Sequence, residues 1–155
     1  MESRELLIGR RIAIILRPGD DVIPAIVAAC LQHGVRQGTI STMLGAFRSV
    51  TLIGTHEPIA DHDAPLPESV TITGVEGTGS GVIASSPDGP VPHIHVAVGE
   101  KADGARAYAG HLLGATAHYV VEIVVDEVLS PSLVRELDDR AHGLPTLAFS
   151  PGPSH

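Results

Sequence analysis

Apolar and polar residues alternate near the start of the chain. Ile12, Ile14 and Leu16 fall on one face of an extended segment, with Arg11, Ala13, Ile15 and Arg17 on the other, so residues 6–16 are expected as a first strand. Pro18-Gly19 ends it. The period then changes: Val22, Ile23, Ile26, Val27, Cys30 and Leu31 recur at helical spacing, Asp20 or Asp21 stands where a cap is needed, and Gly34 supplies the stop. Cys30 falls on the apolar stripe and reads as a core residue rather than a reactive thiol. Beyond the helix, 39–44 and 47–55 read as two strands joined through Gly45-Ala46, and 56–67 as a polar loop. Segments 69–73 and 81–85 are strand-like around a Gly-rich turn, Ser86-Pro87-Asp88-Gly89 is a hairpin signal, and 91–98 and 117–129 are further strands. The tail after Ser130 shows one short helical pattern, 133–139. One main helix among about seven strands with short connections indicates an α+β fold with an antiparallel or mixed sheet.

A chain of 155 residues is expected to form one domain and to bury a core without a staple. Aromatics are only 3%, so that core must come from Val, Ile, Leu and Ala. One cysteine excludes an internal disulfide and a Cys-based zinc site. No apolar run is long enough to span a bilayer, and Met1-Glu2-Ser3-Arg4-Glu5 does not look like a signal peptide, so the expected location is cytoplasmic. Ten basic against eighteen acidic side chains give a net charge of −8. Nucleic-acid backbones are held mainly by Lys and Arg, so this sign disfavours DNA as a partner. Arg4, Arg10, Arg11 and Arg17 make a mild basic patch near the N-terminus, suited as well to a subunit contact or an anionic small molecule.

The sharpest chemical feature is His93-Ile94-His95. On a strand, residues i and i+2 share a face, so two imidazoles can converge on one ion while Ile94, Val96 and Val98 pack inward. Alone the pair is a weak signal, equally met by two solvated histidines. His111, in Gly110-His111-Leu112-Leu113-Gly114, follows sixteen residues after His95; read alone it is a turn residue, but a hairpin return would bring it to the pair. Three neutral imidazoles suit Zn²⁺, and less selectively Fe, Ni or Mn.

Together these features resemble the plant and prokaryote conserved (PPC) domain, which includes the domain of the plant AT-hook nuclear-localised proteins. The carrying residues are His93-x-His95-Val96-x-Val98, Gly110-His111-Leu112-x-Gly114 and the Val-Glu-Ile-Val-Val strand at 121–125. Pro18-Gly19-Asp20-Asp21, His33-Gly34-Val35 and Gly45-Ala46-Phe47-Arg48-Ser49 support it. The resemblance runs over about 6–128, and Arg135, Asp138, Gly143-Leu144 and Leu147 in the extension 129–155 are similar to bacterial single-domain members. Ala109 stands where the family usually has the first glycine of Gly-Gly-His-Leu. The family's acidic segment matches either Glu68-Ser69-Val70 or Val75-Glu76-Gly77. The resemblance implies an α+β domain with a mostly antiparallel sheet and one main helix, a homotrimer, and a divalent metal, expected to be zinc, on His93, His95 and His111. The family is also described as DNA-binding. In the plant proteins that description rests on a separate AT-hook arm, absent from this sequence, and a trimer would carry −24, three times −8.

Other candidates are weaker. Gly77-Thr78-Gly79-Ser80-Gly81 lacks the Gly-Lys-Ser/Thr ending of a phosphate loop and reads as a flexible turn. His118 and Glu122 lie four apart on the last strand, placed for a second shell, a general base or a solvated face. His56-Glu57 and Asp61-His62-Asp63 form a polar loop, and Tyr108 adjoins the glycine segment. Three functions follow in order: a metal-binding trimer, a metal-dependent hydrolase or lyase acting on a small molecule with catalytic residues unassigned, and a DNA-binding protein.

Overall fold

The computed structural model describes residues 1–54, 68–141 and 143–150. The loop expected at 56–67, with its His and Asp residues, lies outside them. Strand β1 (Leu7–Leu16) is followed by helix α1 (Val22–His33) and strands β2 (Gly38–Ile53), β3 (Val70–Ser86), β4 (Gly89–Glu100) and β5 (Arg106–Ser130). A second sheet holds β6 (Ser132–Asp138) and β7 (Leu144–Ser150). Every strand pairing is antiparallel, in the order β1-β5-β2-β3-β4. The 25-residue β5 also pairs with β4, so β2, β3, β4 and β5 close a ring around the apolar centre. That centre includes Ile40, Met43, Phe47, Val75, Ile83, Ile94 and Ile123, each at most 1% exposed.

Helix α1 covers β4, β5 and β1 with part of the stripe read from the sequence: Val22, Ile26 and Cys30 are buried, Ile23 and Val27 half-buried, and Leu31 faces solvent. Its stop is as expected, with Gly34 left-handed (φ 67°) and the Val35 N–H donating to Cys30 O at 2.8 Å. Its start differs. Asp21 occupies the cap position but makes no capping bond; it accepts from Thr116 Oγ1 at 2.9 Å, while Asp20 accepts from the Arg17 N–H at 2.8 Å. The two carboxylates fasten the turn to its neighbours instead of the helix N-terminus.

Three expected breaks are continuous strand. Gly45-Ala46 lies inside β2, where a Cβ on Gly45 would run into Val120 O of β5. The 77–81 glycines are not a turn but the middle of β3. A Cβ at Gly79 would stand 2.9 Å from His95 O and 2.7 Å from Val96 Cγ1, and one at Gly81 would strike His93 O. A sheet bent tightly enough to close needs strands to approach where side chains cannot fit, so the glycines mark curvature. Segment 110–114, read as a possible turn, also lies within β5.

The tail carries the largest correction. The helix expected over 133–139 is β6, paired with β7 from Ser132–Ser150 to Asp138–Leu144. Buried Gln37 overrides the local pattern: its Nε2 donates to Val128 O (3.1 Å) and Pro131 O (2.9 Å), and its Oε1 accepts from the Leu133 N–H at 2.7 Å. Ser85 Oγ donates to Leu133 O at 3.1 Å, laying β6 against β3. A helix there would forfeit these bonds and the burial of Leu133.

Candidate metal centre

The β4–β5 hairpin builds the site. Val96, Val98 and Ile94 face inward, at most 5% exposed, which turns His93 and His95 to the other face. The return strand then sets His111 directly opposite His95. Glycines allow the backbones to close here: Gly81 admits His93 O, and a Cβ on Gly110 would stand 2.9 Å from Ile53 O. Gly114 faces open space, so only the first of the two glycines around His111 serves a close approach.

The three rings meet. Centroids are 5.1 Å apart for His93–His95, 4.8 Å for His93–His111 and 5.5 Å for His95–His111. One ligand nitrogen from each lies within 4.8 Å of the others. Three atoms at that spacing share a point about 2.8 Å from each, so ring rotations of under about 1 Å reach metal–nitrogen bonding distance. His93 and His111 are half-buried and His95 is exposed, so the centre opens to solvent on one side. Burial, then the charges of Arg135, His111 and His95, lower the His93 pKa to about 4. Burial, then His95 and Arg135, lower that of His111. Both rings are therefore neutral at physiological pH, the form that offers a lone pair. His111 Nδ1 is shielded from solvent and has no hydrogen-bond partner among the described residues. An orphaned buried nitrogen costs about 1–3 kcal/mol unless something outside the chain satisfies it. The three-imidazole donor set and the lowered pKa values of His93 and His111 fit a divalent ion; His118 Nδ1, elsewhere on β5, is unpartnered in the same way among the described residues.

The other candidates stand apart from this cluster. His118 is seven residues along β5 from His111, on the order of 20 Å of extended chain. It lies in a bulge, since Gly45 pairs with Val121 but Phe47 with Ala117, and its ring contacts Tyr119 at 4.1 Å. Glu122 pairs with Ile15 and Leu44 at the far end. Neither supports the histidines. Tyr108 pairs with Val98 and packs against the core, its hydroxyl 3.5 Å from Glu100 Oε2. The N-terminal arginines are largely committed: Arg10 grips Glu127 through Nε and NH2, both at 2.9 Å, Arg11 Nε contacts Asp126 at 2.5 Å, and Arg4 pairs with Glu2.

Arg135 is the group near the site that residue patterns do not assign. It lies two residues beyond Leu133 on β6, on the same face, half-buried, and its charge bears on both His93 and His111. Its only sequence signal is the tail's similarity to bacterial relatives, because its placement depends on β6 being a strand.

Comparisons with known proteins agree with this architecture. The chain has no match among curated protein sequences. A metal-containing protein of Archaeoglobus fulgidus shares 24% identity over 96% of this chain and 99% of its own, with a TM-score of 0.76. A plant- and prokaryote-conserved protein of Pyrococcus horikoshii reaches 0.80 at 18% identity, covering 97% and 99%. A candidate DNA-binding protein of Bacteroides thetaiotaomicron gives 0.75 at 23%, covering 93% and 97%. At these identities the likeness establishes the fold. The model of the Plants and Prokaryotes Conserved domain matches residues 3–129. With most of its length matched, the chain belongs to the Plants and Prokaryotes Conserved domain family.

Proposed function

We propose that the protein binds one divalent metal ion per chain through His93, His95 and His111, with zinc the best fit to three neutral imidazoles. The observation that carries this reading is the convergence of three ligand nitrogens, one from each histidine, within 4.8 Å of one another. The Archaeoglobus relative, described as metal-containing, supports it. The test is metal analysis of protein purified without chelator. Wild type should hold about one equivalent and His93→Ala nearly none; equal content in both removes the reading.

The chain further assembles as a homotrimer in this reading. Ile15, Leu44, Tyr119 and Val120 are exposed, and strand pairing sets Ile15 and Leu44 on either side of Glu122. Such a patch suits burial against a second copy; the number three comes from the family. Sedimentation equilibrium at three times the chain mass is the expected result.

A second reading, a metal-dependent hydrolase or lyase for a small molecule, is favoured by the solvent-open side at His95. A divalent ion there supplies Lewis acidity toward a bound water or carbonyl. The chain's own part is to hold His93 and His111 neutral and to keep one side of the centre accessible. His118 and Glu122 are too distant to serve as its base. DNA binding, suggested by the Bacteroides relative's description, is disfavoured by the net charge of −8 and by the pairing of Arg10 and Arg11 with acids. Binding at about 50 mM salt with a steep salt slope would reverse that ranking.

A further inference from the structure

We propose that Arg135 and the histidine centre together form a binding site for the oxyanion group of a small molecule, a carboxylate or a phosphate. The inference rests on the metal reading and extends it to the ligand.

The starting point is how firmly Arg135 is placed. Gln37 clamps Pro131 O and the Leu133 N–H, and Ser85 Oγ holds Leu133 O, so β6 is fixed two residues before Arg135. Leu133 is 2% exposed, and alternation puts Arg135 on the same inward face. Ser85 stands three residues along β3 from Val82, the partner of His93, so its bond to Leu133 lays β6 beside the His93 stretch of the sheet, and the Arg135 charge bears on both His93 and His111.

The second observation is what Arg135 lacks. Arg4, Arg10, Arg11 and Arg140 each have a carboxylate partner, Glu2, Glu127, Asp126 and Asp138. Among the described residues none pairs with Arg135, although it is more buried than those four. A half-buried guanidinium without a counter-ion is costly, and a divalent cation nearby makes it more so. Among the described residues the cluster contains no Asp or Glu and no acid pairs with Arg135, so a bound divalent ion and the guanidinium would bring three positive charges together with no described carboxylate paired to them. An anion bridging the two relieves this. The guanidinium fork matches a carboxylate or phosphate edge, and the exposed side at His95 gives such a group access to the ion.

The test uses Co²⁺-loaded full-length protein, with the visible spectrum as readout and glycolate and inorganic phosphate as separate probes. Wild type is expected to show a saturable spectral change with at least one probe, and the responding probe identifies the class. Arg135→Gln should keep the same cobalt stoichiometry while binding that probe at least tenfold more weakly, and Arg135→Lys should recover part of the loss. Equal affinity in wild type and Arg135→Gln, or no response to either probe, overturns the proposal. Failure of wild type to take up cobalt overturns the metal reading instead. Calorimetry of both probes on metal-free wild type and Arg135→Gln then decides the arginine's role: a loss in the variant upholds an anion site, and equal heats end it.

Discussion

The two ends of β5 treat charge in opposite ways. At its C-terminal end, Asp126 and Glu127 are each under 10% exposed and are met by Arg11 and Arg10; Glu127 is gripped by two guanidinium nitrogens and the Arg10 backbone N–H. At its N-terminal end, His93 and His111 are held neutral, and among the described residues His111 Nδ1 is buried without a partner and Arg135 stands without an acid. One strand thus carries a closed electrostatic cluster and an open one. The closed cluster fastens β1 to β5 and leaves nothing for a ligand. The open one is unsatisfied among the described residues, which is the condition of a site that can take a ligand.

Substitutions at the open end should cost ligand binding far more than folding. His95→Ala removes an exposed side chain and should lower metal affinity by at least about 100-fold, since losing even an outer-sphere partner of a metal ligand typically costs 10–100-fold. Competition against a chromophoric chelator reads this directly, and unchanged affinity would detach His95 from the centre. Gly81→Ala tests how the site is shaped. Its Cβ would be driven against His93 O, so β3 and β4 must separate, with a stability loss of about 1–3 kcal/mol in urea and weaker metal binding together. Loss of stability with metal binding intact would show that the glycine serves the barrel alone.

Gln37→Ala probes the bridge to the tail. It leaves the Leu133 N–H and two carbonyls without their partner and should cost about 1–3 kcal/mol. It should also loosen β6, lowering oxyanion affinity while leaving metal content unchanged.

The closed end should respond to acid instead. Side-chain hydrogen bonds from Arg11 and Arg10 hold the Asp126 and Glu127 carboxyls below their ordinary values of 3.8 and 4.5. The unfolded chain lacks these bonds and takes up protons first. The contribution is therefore complete above about pH 4.5 and is lost as pH falls through the depressed values. Glu127→Gln should flatten the fall in melting temperature between pH 5 and 3 and leave metal content alone. A pH profile identical to wild type would show that the pair contributes nothing.

What the residue pattern revealed follows from how local each signal is. The helix, β1, the Ser86–Gly89 hairpin and the shared face of His93 and His95 depend on neighbours a few positions away, and all are present. The errors lie where distant contacts decide. Glycines 77–81 resemble a turn until β4 lies against them, and Leu133 to Asp139 resembles a helix until Gln37, some hundred residues earlier, captures its backbone. Arg135 was visible only as part of a family-like tail, because its proximity to the histidines depends on that captured strand. The orphaned His111 nitrogen has no sequence signature; it results from three strands meeting.

The central claim is a single ion shared by the three histidines, and anomalous diffraction from crystals of metal-saturated protein tests it most directly. The account predicts one peak per chain, about 2.1 Å from a nitrogen of each of His93, His95 and His111. Saturated crystals with no peak among these rings, or with the ion held elsewhere, would contradict it.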